Sequence, residues 1–242
     1  MNNIVTVNNL TVKFSNRKSA FSKKVTKTVL DDVCFEVREG EILGLVGESG
    51  SGKSTIAKAI LKLVPYEGEI HHESDNPQMI FQDPYSALNP AKKVGWLFEE
   101  ALYLKGEKDS LVRKAKALEM IQMVGLSEEY LERFPRELSG GQRQRVCIGL
   151  ALMQNPKFLI ADEAVSALDV TIQAQILELL KELHDKMGLS ILFISHDLKV
   201  VYNLCQRVMI LKSGKIVESG EVKEVYTNPQ HEYTKQLLSS VF

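Results

Sequence analysis

Cysteine, tryptophan and long apolar runs are all scarce in this sequence. Its three cysteines, Cys34, Cys147 and Cys205, lie far apart in 242 residues with no CxxC pair. That excludes a disulfide framework and a cysteine-built zinc site, and fits a reducing cytoplasm. No run approaches the ~18 apolar residues of a membrane span. The strongest runs, 42–46, 158–161 and 191–194, are strand-sized, so the chain is expected to be soluble. The opening MNNIVTVNNLTVKF lacks the basic and apolar regions of a secretory signal, and export is not expected. Net charge is nearly absent too: 30 Lys+Arg against 31 Asp+Glu leaves −1, with no global drive toward nucleic acid or an anionic bilayer. What remains is globular composition, 44% hydrophobic and 25% charged, enough for one large domain or a core with a subdomain.

Apolar and polar residues alternate over 4–14 and 29–37, which predicts two half-buried antiparallel strands. Between them Arg17, Lys18, Lys23, Lys24 and Lys27 occur without an acidic residue, which reads as a long, basic, exposed connection. The apolar run 42–46 leads into GESGSGKST and then a helical pattern over 56–63. Two more buried strands, 158–161 and 191–194, flank an amphipathic helix carrying Ile172, Ile176, Leu179, Leu180, Leu183 and Met187. Buried strands alternating with helices predict a parallel α/β sheet. From Pro90 to Met153 strand signals vanish and helix formers dominate, broken at Gly106, Gly125 and Pro135. This is read as an inserted helical subdomain. A hairpin turning at Ser213-Gly214 and a short helical tail complete the chain.

Gly47-Glu48-Ser49-Gly50-Ser51-Gly52-Lys53-Ser54 matches GxxxxGK[ST] between a predicted strand and a predicted helix. Glycines there let backbone N–H groups turn toward phosphate oxygens, and the helix N-terminus adds partial positive charge. Lys53 then reaches the β/γ-phosphates, and Ser54 ligates Mg²⁺. The strand 158–161 ends in Asp162-Glu163. Asp162 is suited to hold hydrated Mg²⁺ and Glu163 to polarise an attacking water. Ser195-His196-Asp197 ends the next apolar strand, which places His196 at the carboxyl edge where such sheets bind ligands, as a γ-phosphate sensor. Leu138-Ser139-Gly140-Gly141-Gln142 opens another helix and forms a second anion cradle. The vicinal His71-His72 is read as an exposed loop pair and not a metal site, and the three cysteines as small core residues.

In order and type, residues 47–55 (Gly47 to Thr55), Gln82, 138–142, 159–163, 166–169 and His196 resemble the Walker A, Q-loop, signature, Walker B, D-loop and switch histidine of an ABC-transporter ATPase, over essentially the whole chain. The stretch MIFQDPYSALNP and the tail NPQHEYTKQLL resemble the oligopeptide/dipeptide/nickel importer branch. The basic connection is similar in composition to that of the second of its two paired ATPases. The resemblance implies a P-loop NTPase (RecA-like) α/β core with an N-terminal antiparallel β-subdomain and an inserted α-helical subdomain. In one ABC ATPase domain, 1–90 and 154–242 would form the core and 91–153 the helical part with the signature. It further implies ATP and Mg²⁺ as ligands. Phe14 would stack on adenine, Gln82 would join Ser54 and Asp162 at Mg²⁺, and Lys53, Gln82, Glu163 and His196 would act in hydrolysis. Ser139, Gly140, Gly141, Gln142 and Asp169 would contact nucleotide across a head-to-tail dimer.

The implied partners are a second ABC ATPase subunit, identical or similar, two transmembrane permeases and an extracytoplasmic solute-binding protein. No nucleic acid is implied. The expected place is the cytoplasmic face of the membrane, bound peripherally, and the expected cargo is peptides, nickel or metal chelates. Ala164-Val165 replaces the commoner Pro-Thr, Leu150 stands where many relatives carry Arg, and no cysteine-bearing extension follows, so no iron–sulfur cluster is expected. A soluble ABC ATPase acting on ribosomes or DNA usually has two cassettes or a long insertion after the P-loop. Here Lys53 to Leu138 spans only 138 − 53 = 85 positions. A non-catalytic nucleotide-binding regulator would lack Glu163 or His196, and both are present.

Overall fold

A computed structural model describes residues 2–16, 25–74, 76–166 and 168–239. It divides into two compact units, Met1–Asp75 with Ser190–Phe242, and Asn76–Leu189.

The chain opens the first unit with β1 (Asn3–Asn16), β2 (Val25–Arg38), β3 (Ile42–Val46), α1 (Lys53–Ile60) and β4 (Glu67–His72). The second unit holds β5 (Gln78–Ile80), α2 (Pro84–Ala87), α3 (Val94–Leu104), α4 (Ser110–Met123), α5 (Gly140–Leu152), β6 (Phe158–Asp162) and α6 (Val170–Met187). The chain then returns to the first unit with β7 (Ser190–Ser195), α7 (Leu198–Leu204), β8 (Arg207–Lys212), β9 (Lys215–Glu221), α8 (Val222–Thr227) and α9 (Glu232–Ser239).

In the first unit β1 lies between β2 and β4, antiparallel to both, as the N-terminal antiparallel subdomain requires. Val5, Val7, Leu10, Val12, Leu30, Val33 and Val37 form its buried face. The same unit places β3 between β7 and β8, parallel to both, with β9 antiparallel on β8. Every residue of β3 and β7 is buried, which is why their sequences are continuous apolar runs and do not alternate. In the second unit β5 and β6 pair in parallel, and no strand lies between residues 90 and 153 among the described residues. The helical breaks fall as expected. α3 stops before Gly106 and α4 before Gly125, both at positive φ, and Pro135 opens a 3-10 turn. Asp109 starts α4 by accepting the N–H groups of Leu111 and Val112 at 2.8 and 3.5 Å.

Several expectations change. The first two strands are longer than 4–14 and 29–37, because Phe14↔Lys27 and Ser15↔Thr26 continue the ladder where both faces are exposed and the apolar alternation has ended. Lys27 therefore belongs to β2, while Arg17, Lys18, Lys23 and Lys24 lie outside the described residues. His71-His72 is not in a loop but in β4, where it pairs with Thr6 and Val5 of β1. The His72 ring is half-buried with Nε2 3.0 Å from the Ile60 carbonyl, and burial lowers its pKa. Cys34 is exposed and is no core residue, whereas Cys147 and Cys205 are buried. Burial pushes the Cys147 thiol up to about 12 and that of Cys205 upward as well. Under native conditions at neutral pH, a bulky thiol reagent is expected to label Cys34 first and the other two only on unfolding, as peptide mapping after timed alkylation would show.

Candidate functional site

Each unit carries candidate functional residues of its own. In the first unit β3 ends at Val46, opposite Ser195 of β7, so the loop from Gly47 and the residue His196 leave neighbouring strands at the same carboxyl edge. That is the placement expected for His196 relative to the Gly-rich loop. His196 is exposed, and Asp197 after it caps α7 by accepting the N–H groups of Lys199 and Val200 at 2.9 and 3.3 Å.

The loop is shaped by backbone close approach. A Cβ on Gly47 would come within 2.2 Å of the Leu211 carbonyl oxygen, so no side chain fits there. Gly52 has φ +114°, which only glycine adopts readily, and it starts α1 with no side-chain cap. No side-chain oxygen therefore caps the first turn of α1, and Thr55 N–H and Ile56 N–H both donate to the Gly52 carbonyl at 3.0 Å. Lys53 is 5% exposed and folds back across the loop. Its ammonium donates to the Gly47 and Glu48 carbonyls at 2.7 and 3.0 Å. The Ser51 Oγ is buried with no hydrogen-bond partner among the described residues. Glu48, Ser49 and Gly50 are exposed, and Ser54 and Thr55 are half-buried at the first turn of α1. A glycine-rich loop at a helix N-terminus with an ammonium folded across it has the chemistry to hold an anion. Phe14, 43% exposed on β1, offers an aromatic face to solvent.

In the second unit the pairing of Ile80 with Ala161 brings Gln82 and Glu163, each two residues further on, to the same end of the β5–β6 pair. Gln82 Nε2 donates to Glu163 Oε2 at 2.9 Å. Glu163 sits at φ +47°, and its carbonyl accepts from both the N–H and the hydroxyl of Ser166 at 3.1 Å, a tight turn that ends the strand. Asp162, the last residue of β6, is 5% exposed. Its carboxylate is a hard oxygen donor of the kind that Mg²⁺ takes, since that ion binds few protein ligands and completes its shell with water and phosphate; the Ser54 hydroxyl of the first unit is by itself a donor of the same kind. Among the described residues no group of three His, Cys, Asp or Glu could hold a metal by itself.

The signature segment opens α5 through a capping box. Ser139 Oγ accepts from Gln142 N–H at 3.3 Å, and Gln142 Oε1 accepts from Ser139 N–H at 2.9 Å. Gln142 Nε2 also donates to the Tyr130 hydroxyl at 2.9 Å. Gly141 packs so closely on Ile172 that a Cβ would meet its Cγ2 at 2.4 Å. Asp169 caps α6, accepting Ile172 N–H at 3.0 Å. Sequence reasoning assigned no role to Arg143, which is 5% exposed, donates to the Pro135 carbonyl at 2.6 Å and stacks 3.6 Å from the Tyr85 ring centroid. It also missed the Tyr233 hydroxyl, which accepts from Glu48 N–H at 3.2 Å. No local pattern announces either contact. No helix of the described residues is long and apolar enough to cross a membrane.

A family model described as ABC transporter matches residues 30–166. The Haemophilus influenzae dipeptide transport ATP-binding protein DppF is 41% identical over 240 residues, covering 93% of this chain and 73% of that protein. The Streptococcus mutans oligopeptide transport ATP-binding protein OppF is 44% identical over 255 residues, covering 98% and 81%. Among solved structures, a dimeric post-hydrolysis state of the ATP-binding cassette MJ0796 bound to ADP and Pi superposes with a TM-score of 0.78 at 29% identity, covering 90% of this chain and 98% of that one.

Proposed function

Because the chain belongs to the ABC transporter family, we propose that it is the ATP-hydrolysing subunit of a peptide importer, working as a nucleotide-sandwich dimer on separate permease subunits. The chain is an ATPase by family, and the relatives' names support peptides as cargo over nickel or metal chelates.

The observation that carries the reading is the fastened pair Gln82–Glu163, in a chain that also holds the Lys53 loop. In this reading the 47–55 loop takes the nucleotide phosphates on its N–H groups and on Lys53, and Phe14 stacks on adenine. Ser54, Asp162 and Gln82 would hold Mg²⁺, which would supply charge neutralisation at the phosphates. Gln82 orients the Glu163 carboxylate, and that carboxylate polarises the attacking water. His196 senses the γ-phosphate. Ser139, Gly140, Gly141 and Gln142, with Asp169, serve the nucleotide of the partner subunit, a second copy or a similar ATPase. Catalysis of this kind is mostly positioning and charge stabilisation.

Residues 1–90 and 154–242 act as the ATP-binding core and 91–153 as the helical subdomain. Peripheral attachment at the cytoplasmic face of the membrane follows from the permease contact, with the solute-binding protein on the other side. The region around Gln82 and the helical subdomain receive the permease's cytoplasmic coupling helix. Asn89 is exposed and its Oδ1 accepts the local Ala91 N–H at 3.1 Å. Asn89→Cys is therefore expected to cross-link to a membrane subunit in intact vesicles, and the absence of any link would count against this docking segment. Co-purification with ribosomes or DNA instead of membrane proteins would overturn the importer reading.

A further inference from the structure

We propose that Tyr233 is a positioning residue for the phosphate-binding loop. Its hydroxyl holds the Glu48 N–H, so that the C-terminal helix of the chain tunes nucleotide affinity. This rests on reading residues 47–55 as the cradle for ATP phosphates.

Tyr233 lies in the first turn of α9 and is 4% exposed, and its Oη accepts the Glu48 N–H at 3.2 Å across 185 positions of sequence. The helix that carries it is fastened to β9. The Glu218 carboxylate accepts the N–H groups of Gln230 and His231 at 2.7 and 3.0 Å, and His231 Nδ1 accepts Tyr233 N–H at 3.1 Å. The Lys212 ammonium stands 4.5 Å from the ring centroid, a cation–π contact from the end of the strand next to β3. Burial raises the phenol pKa, and although the Glu48 N–H pulls it down, the Glu48 carboxylate adds to the rise. The hydroxyl therefore stays neutral at physiological pH.

The loop has other fastenings. Gly214 N–H donates to the Ser51 carbonyl at 3.0 Å, and Gly47 is seated against Leu211. The Gly47 and Glu48 carbonyls are held by the Lys53 ammonium. Phosphate oxygens compete for that ammonium, so nucleotide binding draws on the fastening that holds 47–48 from within. The Tyr233 bond does not depend on Lys53 and keeps the Glu48 peptide in place. It therefore counts for more in the bound state than in the free state, which is the condition for an effect on affinity.

The test is a titration of the full-length protein with a fluorescent ATP analogue and Mg²⁺, for the wild type, Tyr233→Phe and Tyr233→Leu. Tyr233→Phe keeps the ring and removes only the hydroxyl. It is expected to weaken binding about three- to tenfold, the range of one net hydrogen bond. Turnover at saturating ATP in the assembled complex should stay within about twofold, so that the loss falls on KM and not on kcat. The thermal midpoint of the nucleotide-free protein should move by less than about 2 °C. Unchanged affinity in Tyr233→Phe overturns the proposal. So does wild-type affinity in Tyr233→Phe with a loss only in Tyr233→Leu, which would assign the effect to ring packing. A fall of more than about 5 °C in the nucleotide-free midpoint of Tyr233→Phe would make the residue structural and also overturn it. If the wild type itself fails to bind the analogue, the cradle reading falls first and takes this inference with it.

Discussion

Glu163→Gln is expected to lower ATP turnover by ~10²–10⁴-fold, the span of general-base catalysis, while MgATP stays bound. The substitution is close to isosteric and isolates the carboxylate. Gln82 Nε2 donates to Glu163 Oε2 at 2.9 Å, and a glutamine oxygen at the same position can still accept that bond, though more weakly without the charge. The backbone at φ +47° is a left-handed conformation that glutamate and glutamine enter at the same cost, so the turn after β6 is preserved. What disappears is the negative charge and the basicity, which is what the proposed water-polarising role needs. No residue of the 47–55 loop is altered, so affinity should hold. Phosphate release by the purified mutant complex, compared with nucleotide retained on it, checks both halves. Near-normal release would remove Glu163 from its assigned role.

The loop around Lys53 was legible because all its chemistry is local. Glycines, lysine and serine stand within eight consecutive positions, between an apolar run and a helical pattern. The helix start at Ser139–Gln142 was legible for the same reason, but as an anion cradle, whereas the structure shows Ser139 Oγ and Gln142 N–H closed on each other in a capping box. Gln82 and Glu163 could be named one at a time by family resemblance, but their hydrogen bond joins residues 81 positions apart and exists because β5 and β6 pair in one register. β4 was invisible: EGEIHH has one aliphatic residue and no alternation, and the strand exists because the backbone of β1 offers it a ladder. The outer ends of β1 and β2 were cut short for the same reason, as hydrophobic period is lost where neither face is buried although the hydrogen bonds continue. Cys34, beside Val33 and Phe35, looked like core by its neighbours, yet in a strand neighbours face the other way. Tyr233 stands in the tail that resembles the importer branch, but its contact had no signal, because its partner is a backbone N–H, which carries no sequence identity.

Lys53→Ala should fail at the opposite step, losing nucleotide and not merely turnover. An ammonium at 5% exposure survives burial only if it is well hydrogen-bonded, and the Gly47 and Glu48 carbonyls at 2.7 and 3.0 Å supply that. Alanine removes the charge offered to phosphate and also leaves the buried Gly47 carbonyl without this donor. Hydrogen bonds to a charged group contribute roughly 1.5–3 kcal/mol each. Two such contacts to phosphate correspond to a loss of about 3 kcal/mol or more, hence a dissociation constant raised about 100-fold or beyond. Lys53→Arg should not restore it, because a planar guanidinium does not follow the short path of an ammonium curled over its own loop. Equilibrium titration with a fluorescent ATP analogue measures this directly, and wild-type affinity in Lys53→Ala would remove the loop from its role as cradle. The two variants also separate the two units. Lys53 lies in the first and Glu163 in the second, so binding lost without Lys53 and turnover lost without Glu163 would show that one ATPase cycle draws on both.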